Sequence, residues 1–253
     1  MADFSGDYMK LAMKHFTIVL LVSLCCGCST LSATDAPIQR YSNDPLEGLN
    51  RKVYSYNRTA DKFVLRTVAK AYDKVVPKPA KRGVRHFFAN LGEPIHALNN
   101  LLQGKYDRAL DSVFRFAINS TVGMLGVFDV ARRYDVHPAK EDFGQTLAAW
   151  GLGPGPYLVL PFAGPSNLRD GIGTITDGVI VYPINEVSDS RGTRNTLFVL
   201  DVLDLRAGLL GSDELLESQL DSYAFLKQAY EQNRVRAIYD GNPPAQEEED
   251  LDF

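Results

Sequence analysis

Leu46, Leu49, Val53, Tyr56, Ala60 and Phe63 recur at alternating steps of three and four residues. Only an α-helix brings such a series onto one face. The period returns in Val84, Phe87, Phe88 and Leu91, in Ile95, Leu98 and Leu102, in Leu110, Val113, Phe114 and Ala117, and in Ile172, Ile175, Val179 and Tyr182. The chain is thereby held to the all-α class. Punctuation sets the boundaries. Asp44 is expected to cap the first helix, with Pro45 at its first position and Glu47 three after the cap. Pro77 and Pro79 break the helix, Gly92 and Pro94 restart the chain, and Gly104 stops the third helix. A fourth is expected from about Asp107 to Val122, a short one over Phe143 to Trp150, and one ended by Pro183. Two more are expected over Asn195 to Leu210 and Ser222 to Tyr239, the last stopped by Gly241-Asn242-Pro243-Pro244. One apolar run, Tyr157 to Ala163, is flanked by Gly and Pro and predicts a short strand or extended hairpin.

The cysteines lie elsewhere. Cys25, Cys26 and Cys28 are the only three in the chain. A structural zinc site takes four ligands, and no histidine follows at finger-like spacing. Cys25 and Cys28 spell C-x-x-C, but behind an apolar run rather than at a helix N-terminus that would lower a thiol pKa. Met13-Lys14-His15 followed by the run Phe16 to Leu24 has the form of a signal sequence. The run is too short to span a bilayer, which takes roughly 20 residues. Gly27-Cys28 closes it as in a bacterial lipoprotein signal, with Cys28 the lipidated residue; an ordinary cleaved signal is the alternative. Asp3 and Asp7 are unusual so early, which places the true start at Met9 or Met13. Ser29, rather than Asp, permits sorting to the outer membrane of a Gram-negative cell. The expected organisation is a signal over 1–27, a lipidated tether over 28–42, a helical domain over 43–241 and an acidic, disordered tail over 242–253.

Charge and missing motifs narrow the function. The net charge is −4, and Glu247, Glu248, Glu249, Asp250 and Asp252 supply more than that. The body is close to neutral, which argues against a nucleic-acid partner. Gly151, Gly153 and Gly155 precede rather than follow a strand, so they make a hinge and not a phosphate cradle. No G-x-S-x-G or H-E-x-x-H occurs, and His86, His96 and His137 have no ligand spacing. Neither a metal nor a catalytic site is expected. Two helices nevertheless carry narrow polar stripes on apolar cylinders: Asp201, Asp204 and Arg206 in one, Thr174 and Asp177 in the other. The stripes are either solvated faces or the wet lining of a passage whose outside meets hydrocarbon. The basic stretch Lys62 to Arg85 is likewise either solvated or set against anionic head groups.

Five blocks carry a resemblance: NDPLEGLNRKVYSYN (43–57), NLGEPIHALNNLLQG (90–104), RFAINSTVGMLGVFDVA (115–131), DFGQTLAAWGLGPGPYLVLPFAGPSNLRD (142–170) and DSYAFLKQAYEQNR (221–234). Together they resemble the MlaA/VacJ family of phospholipid-binding lipoproteins, from about Ser42 to Gly241. The resemblance implies a ring of helices in the inner leaflet of the outer membrane, around a central amphipathic channel. It implies a trimeric porin beside the ring and a soluble periplasmic carrier that receives phospholipid straying into the outer leaflet. Phospholipid is then cargo rather than cofactor, and the only attached groups expected are the diacylglycerol and acyl chain on Cys28. On this reading Asp177, Asp201, Asp204 and Arg206 are candidates for lipid contact. Gly153, Gly155, Tyr157, Leu158, Leu160 and Phe162 are candidates for a gate or membrane-dipping loop. A porin-bound structural lipoprotein and a lipid hydrolase using Ser166 and His137 are the alternatives.

Overall fold

In the computed structural model, residues 44–181 and 190–244 are described, apart from the side chains of 179–181. The signal, Cys28, the tether, Tyr182, Pro183 and the tail from 245 onward lie outside the described residues.

One long helix opens the fold. α1 (Glu47–Ala60) passes through a π-helical turn (Asp61–Leu65) into α2 (Arg66–Val75). Its regular part starts at Glu47, two residues later than Pro45, although the Asp44 carboxylate does accept from the Leu46 amide two residues on, as a cap does. That carboxylate also accepts hydrogen bonds from the Asn50 side chain and the Tyr223 hydroxyl. Val76 and Pro77 are extended and turn the chain into α3 (Lys78–Leu102). The expected restart at Gly92 and Pro94 does not occur; α3 continues through both. Pro94 removes one helical hydrogen bond, but polar anchors just before it hold the helix against its neighbour. Asn90 donates to the Ser120 hydroxyl at 2.9 Å, and Glu93 pairs with Arg115 at 2.6 Å. Gly104, at φ +74°, reverses the chain into α4 (Tyr106–Thr121).

A short 3₁₀ turn (Ala131–Tyr134) leads to α5 (Phe143–Ala149), capped by Asp142, whose carboxylate accepts from the Gln145 amide. The expected hairpin is β1 (Tyr157–Leu160) and β2 (Gly164–Asn167), antiparallel with Tyr157 opposite Asn167 and Leu160 opposite Gly164. Its outer edge is not left open. Asn50 donates to the Tyr157 carbonyl and accepts from the Val159 amide, both at 2.9 Å. Two helical turns on, Asn57 does the same for the Leu160 carbonyl and the Phe162 amide. Two asparagines on one face of α1 thus stand in for a third strand and satisfy the edge.

α6 (Leu168–Val181), α7 (Arg191–Gly208), a 3₁₀ turn (Leu210–Ser212), α8 (Asp213–Glu217) and α9 (Ser222–Ile238) complete the described fold. α3 packs on α4, α5 on α6, and α2 on α7. Among the described residues the fold is all-α with one hairpin, as the periodicity predicts.

The distribution of polarity is inverted relative to a water-soluble globule. The buried apolar side chains are few: Ala69, Ala109, Ala131, Tyr157, Val159 and Tyr223. The buried polar ones include Asn50, Asn90, Glu93, Asn99, Asn100, Arg115, Asn119, Glu141, Gln145, Asn167, Arg169 and Asp170. Large apolar residues stand outside on helix after helix: Leu49 on α1, Val75 on α2, Leu101 on α3, Leu110 on α4, Ile175 on α6 and Leu205 on α7. Burying such a side chain is worth about 1.5–3 kcal/mol, so their exposure to water would be costly many times over. α9 is the exception. Its exposed positions are Ala224, Gln228, Gln232, Asn233 and Arg236, and ion pairs from Arg234 to Asp142 and Asp170 tie it down.

Candidate functional site

The turn after α4 explains how an apolar cavity forms. Met124 and Leu125 are both left-handed, at φ 52° and 58°, followed by Gly126 at 94°. A Cβ on Gly126 would lie 2.5 Å from the Asn90 Cβ, so only glycine lets the turn approach α3 this closely. The turn carries Val127 to Gly83, where an added Cβ would meet the valine side chain at 3.1 Å. Between this turn, the first half of α3 and α7 lies a cavity of about 610 Å³. Pro79, Ala80, Gly83, Val84, Phe87, Phe88, Val127, Phe128 and Leu200 line it, with Arg82 and His86 as its polar members.

A polar knot adjoins the apolar wall. Leu200 and Asp204 are one turn apart and share a face of α7. The buried Asp204 accepts a hydrogen bond from the Tyr72 hydroxyl of α2 at 3.2 Å and from Arg85 Nε of α3 at 3.3 Å. Three helices therefore meet on one carboxylate. Asp201 lies half-buried on the same helix, its pKa raised by burial and by the nearby Asp204 charge. Burial also raises the Tyr72 hydroxyl, to about 12, with Asp204 adding to it.

The other two channel candidates are placed elsewhere. Arg206 is held bidentately by Asp61 at 2.7 and 2.9 Å and reaches Asp213 at 2.9 Å, so its charge is spent on the π-helical turn and α8. Asp177 accepts from the Asn99 side chain at 3.1 Å and the Phe143 amide at 2.9 Å. Burial raises its pKa against those two hydrogen bonds. The four residues are not one constellation; Asp201 and Asp204 stand beside the cavity, Arg206 and Asp177 brace helix junctions.

The loop candidates divide as well. Tyr157 faces inward and is 1% exposed, so its assignment to a membrane-dipping surface is corrected. Strand alternation sends Tyr157 and Val159 to the side where Tyr223 and Tyr230 pack, with ring centroids 6.2 and 6.1 Å from Tyr157. Leu158 and Leu160 are half-buried. Phe162, at the tip, is 74% exposed. Gly153 and Gly155 are both exposed; Gly155 is left-handed, at φ +67°, and a Cβ added there would meet Leu168 at 3.1 Å. The hydrolase pair does not form. Ser166 donates to the neighbouring Asn167 carbonyl, and His137 Nδ1 lies 3.0 Å from the Asp135 carbonyl oxygen in an exposed turn. Among the described residues, no cluster of three metal-ligating side chains occurs, and no helix is long and apolar enough to cross a membrane.

The cavity itself is not foreseen by the stripes: Phe87 and Phe88 stand out only as one helical apolar face, and Phe128 lies in no periodic segment. The missed signal is the asparagines: Asn50, Asn57, Asn90, Asn99, Asn100 and Asn119 sit inside helices, where asparagine is unfavourable, and all but Asn57 are buried.

A family profile described as MlaA lipoprotein matches residues 42–237. The chain is 36% identical to the intermembrane phospholipid transport system lipoprotein MlaA of Escherichia coli over 231 residues, 88% of this chain and 86% of that one. It is 31% identical to the protein of the same description in Haemophilus influenzae, over 85% and 86% of the two chains. An uncharacterized protein of Rickettsia bellii is 36% identical over 77% of this chain and 76% of its own. A solved structure described as "Structural basis for maintenance of bacterial outer membrane lipid asymmetry" superposes with a TM-score of 0.67 at 35% identity. The match covers 79% of this chain and all of that one.

Proposed function

The chain belongs to the MlaA lipoprotein family, and on that premise we propose that it moves phospholipid out of the outer leaflet of a bacterial outer membrane. The inverted polarity carries this reading. Helices with apolar outsides and hydrogen-bonded polar insides are stable in a layer of acyl chains, where exposed leucine carries no penalty and an unpaired buried polar group a heavy one. With no helix long enough to cross among those described, the body lodges in one leaflet. α9, polar on its exposed face, turns to the periplasm. Cys28, diacylated, anchors the chain there.

The cavity supplies the passage. Its aromatic and aliphatic wall accepts acyl chain, while Arg82, His86, and the Asp201, Asp204 and Arg85 group beside it keep the head group hydrated or paired. A head group dragged bare through hydrocarbon would cost several kcal/mol. Nothing here requires a covalent step, so the protein is a conduit and not an enzyme. A trimeric porin is the proposed lateral neighbour, and a soluble periplasmic carrier the acceptor.

The test fills the cavity. In cells lacking their own family member, the native chain is expected to return outer-leaflet phospholipid, read by a surface-restricted amine label or lipase, to its normal low level. Val84→Trp is expected to leave that phospholipid high while fractionating with the membrane as before. Full restoration by Val84→Trp sinks the conduit and favours a porin-bound scaffold.

A further inference from the structure

Of the basic stretch between α2 and α3, the passage as described uses only Arg82 and Arg85. Lys70 and Lys74 are one turn apart on α2, Lys78 and Arg82 one turn apart on α3, and all four are exposed. Among the described residues, no carboxylate pairs with any of them. Two acids beside the corner, Asp73 and Asp204, are already engaged. Asp73 is held by Lys81, at 2.5 Å from its carboxylate and 3.1 Å from its carbonyl, a bond that fixes the corner between the helices. Asp204 is held by Arg85 and Tyr72. Val75, 77% exposed, and Val68, 46% exposed, lie among the lysines on the same short helix. Cations interleaved with exposed valines suit the boundary between head groups and acyl chains, where lysine stems lie along hydrocarbon and ammonium groups reach the phosphates. The corner also opens onto the cavity, since Pro79, Ala80 and Arg82 belong to its lining.

We propose that this corner is a head-group ledge at the cavity mouth that selects anionic glycerophospholipids, those with a net negative head group, over zwitterionic ones. The inference rests on the conduit reading and adds a substrate class to it. A zwitterionic lipid brings its own ammonium beside four unneutralised cations, whereas an anionic lipid brings only negative charge. Arg82, shared between ledge and cavity, places the phosphate over the apolar wall that takes the chain.

The full chain, purified in mild detergent after equilibration with vesicles of phosphatidylethanolamine and phosphatidylglycerol, tests this through the composition of the lipid it retains. The native chain is expected to hold lipid enriched about threefold or more in phosphatidylglycerol over the vesicles. The combined variant Lys70→Gln, Lys74→Gln and Lys78→Gln, which leaves the cavity-lining Arg82 in place, is expected to retain as much lipid, with the enrichment lost. Its three sites are exposed and outside the cavity lining, and an unchanged circular dichroism spectrum confirms the fold. Lipid of vesicle composition on the native chain overturns the ledge alone, as does enrichment that survives in the variant. No lipid on either protein overturns the conduit and the ledge together.

Discussion

Arg115 shows at the scale of one residue what an inverted interior demands. Its side chain and that of Glu93 are almost wholly buried and lie 2.6 Å apart. The guanidinium also donates to the Val136 carbonyl at 2.7 Å and pairs with Asp129 at 3.2 Å. Removing one partner of such a pair strands a buried charge, typically costing about 3–5 kcal/mol. Arg115→Leu is expected to lose that much stability in detergent unfolding, and a loss under 1 kcal/mol would show that water reaches the pair. Asp201 works the other way. Burial and the Asp204 charge raise its pKa above the unfolded value. The folded state therefore holds the proton more tightly, and Asp201 lowers stability as pH rises above the ordinary aspartate value of about 3.9. Asp201→Asn is expected to raise the melting temperature at pH 7 and to change it little at pH 4; equal shifts at both would contradict the assignment.

Among the elements, the hairpin shows what the sequence makes legible and what it hides. Gly and Pro punctuation locates it within a few residues, because turns are set by local chemistry. The partner of its edge is invisible locally: Asn50 and Asn57 lie more than a hundred residues away and read as two asparagines on a polar face. Asn50→Ala would leave the Tyr157 carbonyl and the Val159 amide unpaired, at about 1–3 kcal/mol each. Faster amide exchange across β1, with the rest of the chain unchanged, is the expected readout, and unaltered protection at Val159 the contrary one. The uninterrupted α3 teaches the same lesson. Gly92 and Pro94 are true local breakers, and tertiary anchors at Asn90 and Glu93 override them. Helical faces were therefore readable from spacing, while the pairing of those faces, and with it the cavity, depends on contacts that spacing does not record. Arg206 illustrates this: its place in a polar stripe is plain, but its engagement by Asp61 follows from the π-helical turn.

For the whole molecule, one arrangement underlies conduit, ledge and seating alike: leucines, valines and isoleucines outward, asparagines and ion pairs inward, and α9 as the water-facing side. Site-directed spin labels measure it most directly. Starting from a chain with Cys25, Cys26 and Cys28 replaced, labels are placed singly at Leu49, Leu110, Ile175 and Leu205, and at Gln232 and Arg236 of α9, in protein reconstituted into vesicles. The account predicts that oxygen, which concentrates in hydrocarbon, relaxes the first four most strongly, and that a water-soluble nickel complex relaxes only the two on α9. Strong relaxation by nickel at Leu110, Ile175 and Leu205 would place the apolar exterior in water and contradict it.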